Sequence, residues 1–253
     1  MSSKTPAWPD GVGRRVLAEV DSTNAEAARI GADLAGPTWI LALRQTAGKG
    51  RRGRPWADPV GNFAATYISR PTTGPEGAAL RSFVAALALA DAVSDLSGRA
   101  DAITLKWPND VLMNGQKLAG ILLEYVGAAG HNGLLSIGIG VNLINSPDVT
   151  GLENTAFRPT SVLDAAGVQI DPETLLDHLA PAFARWEAQL DTFGFDPIRT
   201  AFLARAARLG EVITARTGRE ELTGTFESID QTGALVLVTA SGRISVPAAD
   251  IFF

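Results

Sequence analysis

Between residues 103 and 143 the chain is written as four short apolar runs, 103–107, 111–113, 118–126 and 134–143, broken by Asn-Gly, Gly-Gln and glycine-rich turns. Runs of that length and spacing predict a meander of mostly antiparallel strands. Residues 39–43 read as one more strand. Helical signals flank them. Thr23 and Glu26 have capping-box spacing ahead of an alanine-rich stretch reaching about residue 34. Residues 76–96 carry Leu80, Phe83, Val84, Leu87, Val93 and Leu96 at helical intervals. Residues 172–193, with Pro181 expected to bend them, and 197–209 return to helix. The fold class is therefore α+β, a mixed and mostly antiparallel sheet with flanking helices. After Gly210 the texture changes to four short strands, 211–216, 222–229, 234–238 and 243–246, a small β-barrel. The expected domains are 1–208 and 209–253.

Composition narrows the chemistry. Of 253 residues, 22 are basic and 27 acidic, a net charge of −5 that argues against a general nucleic-acid binder. With 46% apolar and 19% charged residues, the chain can build a sizeable core. Its longest unbroken apolar run, 83–90, ends at Asp91, and the N-terminus has no apolar stretch of signal-peptide length. A cytoplasmic location without membrane association is expected. There is no cysteine, and the only histidines, His131 and His178, read as surface residues. Catalysis must rest on lysine, arginine, carboxylates, amides and backbone.

Residues 48–54, Gly-Lys-Gly-Arg-Arg-Gly-Arg, pack four cations and three glycines into seven positions. Such a stretch cannot be core, and its cations repel one another unless an anion joins them. The formal G-x-G-x-x-G pattern lacks the helix that a dinucleotide fingerprint opens, because Pro55 and Trp56 follow. A Walker loop would need Ser or Thr after Lys49, where Gly50 stands. Two readings stay open: a solvated basic turn or nucleic-acid patch, and a loop that orders around a phosphate-bearing ligand. Three further segments bear on the choice. Lys106-Trp107-Pro108-Asn109-Asp110 is a good turn or a charged strand end. Lys117 opens the apolar run through Glu124 and either snorkels to water or meets an anion. Gly138-Ile139-Gly140-Val141-Asn142-Leu143 ends a strand with room for close approach.

In this order, with Ser22-Thr23-Asn24 and Gln45, these motifs resemble the biotin protein ligases over nearly the whole chain. The resemblance implies the class II synthetase-like, biotin–lipoate ligase fold, with 209–253 as its SH3-like domain. It implies biotinyl-5′-AMP formation from biotin and ATP with Mg²⁺, then transfer to a lysine of a biotin carboxyl carrier domain, as in acetyl-CoA carboxylase. Catalytic roles fall to Lys117, Arg51, Lys106 and Asp110. Ser22, Thr23, Asn24, Gln45, Gly48, Lys49, Gly50, Arg51, Lys117, Gly120 and Ile121 would bind biotin. Arg51, Arg54, Trp56, Lys106, Asn109, Lys117 and Asn142 would bind the nucleotide. Asp110 is left with three roles: orienting a lysine, holding Mg²⁺, or, as preferred, receiving the acceptor lysine's proton. Lys49 stands where the family usually carries Arg, exchanging a fork for a point charge. Ala64 replaces an aromatic hydroxyl, and the apolar 251–253 end should pack on the barrel or on a partner. The family's regulatory helix-turn-helix is expected to be absent, so no sequence-specific DNA binding is implied; a homodimer is compatible. Alternatives are a lipoate-ligase-like adenylating enzyme and a non-catalytic biotin-responsive regulator or RNA-binding module.

Overall fold

The computed structural model describes residues 6–57, 59–126, 133–147 and 157–252. His131 and Phe253 lie outside them. A seven-stranded sheet carries the larger part. Its strands are β1 (Gly13–Leu17), β2 (Thr38–Ala42), β3 (Phe63–Ser69), β4 (Ile103–Lys106), β5 (Asp110–Met113), β6 (Gln116–Val126) and β7 (Leu134–Val141), in the order β1-β2-β3-β7-β6-β5-β4. Only the β1–β2 pair is parallel. The expected meander is thus β4 to β7, with β3 inserted beside β7. β1 and β3 went unread in the sequence. β1 has a charged, exposed face without alternation, and β3 is an almost continuously buried run whose small residues imitate a helix.

Helix α1 (Thr23–Ile30) packs on β2, β3 and β7. It begins differently from the capping-box expectation. Ser22 occupies the N-cap and makes no side-chain cap bond, Glu26 pairs with Arg29 at 2.8 Å, and Thr23 turns inward. A second helical layer comprises α2 (Pro75–Ala79), α3 (Arg81–Ser97), the short α4 (Val162–Ala166), α5 (Pro172–Phe193) and α6 (Phe195–Leu203). The expected 76–96 helix is present, interrupted at Leu80. Pro181 sits within the 22 residues of α5, and α6 stops at Leu203, short of the expected 209. His178 is buried on α5, its Nδ1 3.0 Å from the Thr174 carbonyl, contrary to the expected surface position. The segment Pro75–Ser97 is long and apolar enough to cross a membrane, with mean hydropathy 1.4, yet 72% of that stretch is buried inside the protein. Its alanine and leucine faces are spent on the sheet and on α5.

The C-terminal part is a five-stranded antiparallel sheet, β8 (Val212–Arg216), β9 (Glu221–Ile229), β10 (Leu235–Thr239), β11 (Gly242–Val246) and β12 (Asp250–Phe252), in the order β11-β10-β9-β8-β12. The fifth strand explains the apolar chain end: Ile251 is buried and pairs with Ala215 of β8. This sheet docks firmly. The chain entering it is pinned to β4, where Leu105 exchanges backbone bonds with Arg205 and Ala207, and from the sheet itself the Gly233 carbonyl accepts from the Trp107 indole at 2.9 Å. A side chain at Gly233 would meet the Phe83 ring of α3 at 2.9 Å, so the turn lies directly on that helix.

Candidate functional site

A cavity of about 660 Å³ opens where the ends of β4 to β7, the first turn of α1, the 48–56 loop and β12 converge. Of the predicted site residues, all line it except Gly48. Gly48 instead closes the neck of the loop. Its carbonyl accepts from the Trp56 amide at 2.9 Å, and a Cβ there would stand 2.9 Å from the Trp56 carbonyl.

The charged end is built by strand register. Lys106 and Asp110 face each other across the β4–β5 hairpin, and Asp110 pairs with Gly120 of β6. A register shift in β5 between Val111 and Leu112 accompanies Lys117 on the same side. Asp110 Oδ1 is 2.7 Å from Lys117 Nζ, and its Oδ2 is 3.4 Å from Lys106 Nζ. Burial alone would raise the Asp110 pKa, but the two lysines outweigh it and hold the carboxyl below its ordinary range. Burial draws Lys106 below the ordinary lysine range against the pull of Asp110, with Lys117 adding like-charge repulsion. Lys106 also sits over the Phe157 ring, 4.3 Å from its centroid. Two cations around one carboxylate leave a net positive charge facing the cavity.

Two of the loop's arginines are tied down by carboxylate and the third by an amide. Arg51 donates to Asn109 Oδ1 at 3.2 Å, and Asn109 is itself fixed by donating to the Ile121 carbonyl at 2.6 Å. Arg52 and Arg54 both reach Asp250 Oδ2, at 2.6 and 3.5 Å. Arg52 has φ +58° and Gly53 φ +71°, a left-handed turn that Gly53 adopts freely and that Arg52, a non-glycine, adopts while paired with Asp250. Trp56 folds back over the floor between β6 and β7. A Cβ at Gly140 would come within 2.5 Å of the indole, so that glycine is what admits the ring.

At the other end the lining is polar and buried. Ser22 and Thr23 are each 4% exposed and Asn24 7%. The Thr23 amide donates to Gln45 Oε1 at 2.8 Å. Back beside Lys117, Asn142 donates to the Thr160 carbonyl at 3.0 Å, and its buried Oδ1 has no partner among the described residues. An acceptor so placed asks for a donor from a ligand.

Among the described residues, no three His, Cys, Asp or Glu side chains assemble as metal ligands. Asp110 is committed to two lysines. The residues present do not fit a protein-held Mg²⁺. Sequence reasoning missed Asp250 and Phe252 as lining residues, and also Thr66, which stands behind the polar end. Nothing local marks Asp250, because it reaches the cavity through β12 pairing with β8.

A model of the biotin/lipoate A/B protein ligase family matches residues 16–142, and a model of the biotin protein ligase C-terminal domain matches 209–253. The chain belongs to that family. Within it, the chain is 56% identical to the biotin–[acetyl-CoA-carboxylase] ligase of Paracoccus denitrificans, over 94% of this chain and 99% of that one. It is 33% identical to the bifunctional ligase/repressor of Bacillus subtilis, over 85% of this chain but 65% of the relative. Among solved family structures, the biotin protein ligase of Aquifex aeolicus in complex with biotin and ATP superposes with a TM-score of 0.78 at 23% identity, covering 94% and 97% of the two chains. That of Leishmania major in complex with biotinyl-5-AMP gives 0.65 at 25% identity over 93% and 99%.

Proposed function

We propose that this chain is a biotin protein ligase, joining biotin to ATP as biotinyl-5′-AMP and passing the biotinyl group to a lysine of a carboxyl carrier domain. The observation that carries the reading is one cavity with two lysines clustered on a buried carboxylate at one end and hydroxyl and amide groups at the other. The relatives' names support the same reaction.

In the first step a biotin carboxylate oxygen forms a bond to the α-phosphorus, and the bond to the β-phosphate oxygen breaks, releasing pyrophosphate. Two anions must meet, so Lys117, Lys106 and Arg51 offset their repulsion and the charge gathering at phosphorus. Asp110 keeps the two ammonium groups aimed at one point, and its low basicity suits an orienting role better than a proton acceptor's. This revises the preference for Asp110 as the base. Asn142 Oδ1 takes the amino group of adenine, and Trp56 covers the nucleotide. In the second step the acceptor lysine, having given its ammonium proton to water, attacks the acyl carbon, the C–O bond to AMP breaks, and the second N–H proton leaves to solvent as the amide forms. Arg51 and Arg54 hold the mixed anhydride under the loop until then, away from water. Ser22, Thr23, Asn24 and Gln45 with backbone at Lys49 and Gly50 address the ureido ring, Gly48 closes the loop behind them, and Gly120 and Ile121 line its apolar body. Mg²⁺ is taken to accompany the nucleotide without a ligand from this chain.

We divide the chain at 208/209 into a catalytic part and an SH3-like part. A cytoplasmic location, a carrier domain as sole macromolecular substrate, no DNA operator and a homodimer as an allowed state complete the reading. The polar pocket favours a ureido ring over the dithiolane of lipoate, which offers no N–H. Mass spectrometry of a carrier domain incubated with the protein, MgATP and either acid tests this. A biotinyl mass increment on one lysine is expected, and a lipoyl increment alone would refute it.

A further inference from the structure

Behind the polar end of the cavity lies a row of hydrogen bonds that the reaction scheme does not use. Glu124 Oε2, on β6, accepts from Asn24 Nδ2 at 2.7 Å. Asn24 Oδ1 lies 2.6 Å from the Thr66 hydroxyl of β3, and that hydroxyl lies 2.8 Å from the hydroxyl of Thr23. Thr66 is wholly buried, so water cannot substitute for either partner. Gly138 stands opposite Thr66 on β7, and a Cβ there would come within 2.5 Å of Asn24 Oδ1, so the row exists because that position is glycine.

The row has a direction. A carboxylate only accepts, so Glu124 fixes the Asn24 amide with its nitrogen outward and its oxygen toward Thr66. A hydroxyl has one proton. Thr66 aims that proton between Asn24 Oδ1 at 2.6 Å and the Thr23 oxygen at 2.8 Å, so it gives the Thr23 hydroxyl nothing to donate to. The Thr23 hydroxyl donates instead to Gln45 Oε1 at 3.2 Å, which also receives the Thr23 amide at 2.8 Å. The Thr23 oxygen, which lines the cavity, is therefore left with lone pairs and no proton to offer.

We infer that Glu124 and Thr66 are positioning residues that lock the Thr23 hydroxyl as a hydrogen-bond acceptor, so that the site selects a ring N–H of its acid substrate. This rests on the biotin reading given above and deepens it. The locked acceptor would repel a ring oxygen and leave a ring CH₂ uncompensated. A rotatable hydroxyl without the row would serve either polarity.

The test is calorimetric titration of the purified protein with biotin and with two lactam analogues, each carrying CH₂ in place of one ring N–H. The parent protein should prefer biotin to one of the two by about tenfold. Thr66→Val should weaken biotin about five- to tenfold and leave that lactam within twofold of its parent value, so that the preference collapses. Thr66→Ser should restore it. Glu124→Gln, which lets the Asn24 amide turn over, should lose about threefold of the preference and serves if Thr66→Val does not fold. An unchanged preference in both variants would overturn the inference, as would equal weakening of biotin and lactam, the mark of simple disorder. A parent protein that binds no biotin would instead overturn the functional reading itself.

Discussion

Asp110 and Lys117 form the tightest contact in the charged end of the cavity, 2.7 Å with the Asp110 side chain 13% exposed. Replacing Lys117 by Ala removes the cation that the biotin carboxylate needs. It also leaves Asp110 with Lys106 alone at 3.4 Å. Loss of adenylate formation by at least about a hundredfold is expected, in pyrophosphate-release assays. The accompanying stability loss is of order 1–3 kcal/mol, because a buried carboxylate loses a charged partner. The pH dependence follows from the direction of the shift. In the parent protein the Asp110 pKa is depressed on folding. Its contribution is therefore present above the ordinary carboxylate pKa and lost as pH falls through the lower folded value. With Lys117 gone, burial counts for more and the folded pKa rises. Acid unfolding of Lys117→Ala should thus begin at higher pH than in the parent, and identical acid profiles would show that the lysine does not hold Asp110 down.

Among elements, the 48–56 loop and the α3–α5 pair illustrate opposite degrees of legibility. The loop announced itself, since cations and glycines at that density have no structural use unless an anion is met. Arg51→Gly removes its link to Asn109 and one charge-assisted bond to the adenylate, worth about 1.5–3 kcal/mol. The variant should still make biotinyl-AMP but release it about ten- to a hundredfold faster, labelling bystander lysines in a mixture with a carrier domain; labelling confined to the carrier would contradict retention through Arg51. The α3–α5 contact was readable only as apolar spacing. Its charged component was not: Arg81 is 4% exposed and pairs with Glu187 at 2.6 Å, a partner 106 residues away. Burial raises the Glu187 pKa despite that arginine, and Glu187 Oε2 has no partner among the described residues. Arg81→Met should cost about 3–5 kcal/mol in urea unfolding at pH 7, by stranding a buried carboxylate. The cost should shrink as pH falls and Glu187, its pKa already raised by burial, takes a proton. The strand meander and α3 could be read because periodicity and turns are local. The α1 start could not, because Thr23 is claimed by Gln45 and Thr66 from distant strands, and tertiary partners override a capping-box spacing.

At the scale of the whole molecule, the second sheet is part of the cavity and not an appendage. Its β9–β10 turn holds Trp107 beside the Lys106–Asp110 hairpin, and its last strand brings Asp250 to Arg52 and Arg54. The loop is thus held by a carboxylate that comes from the far end of the sequence. A pair with Arg52 45% exposed contributes little to global stability, ~0–1 kcal/mol, yet the same energy is large against the cost of opening one loop. Asp250→Ala should therefore shift the melting midpoint by no more than about 3 °C. It should raise the rate of tryptic cleavage after Arg51 and Arg52 by up to about fivefold, since proteolysis follows the population of the open loop. Arg54 is followed by Pro55 and is a poor tryptic site, so the cut positions identify the segment that opens. Half-molar salt should speed cleavage of the parent protein toward the Asp250→Ala rate, because screening weakens the same exposed pair, and should change the variant little. Equal cleavage of parent and variant at low salt would mean that the second sheet does not restrain the loop through Asp250. In that case the three cations would be held by Asn109 and by their own backbone turn alone.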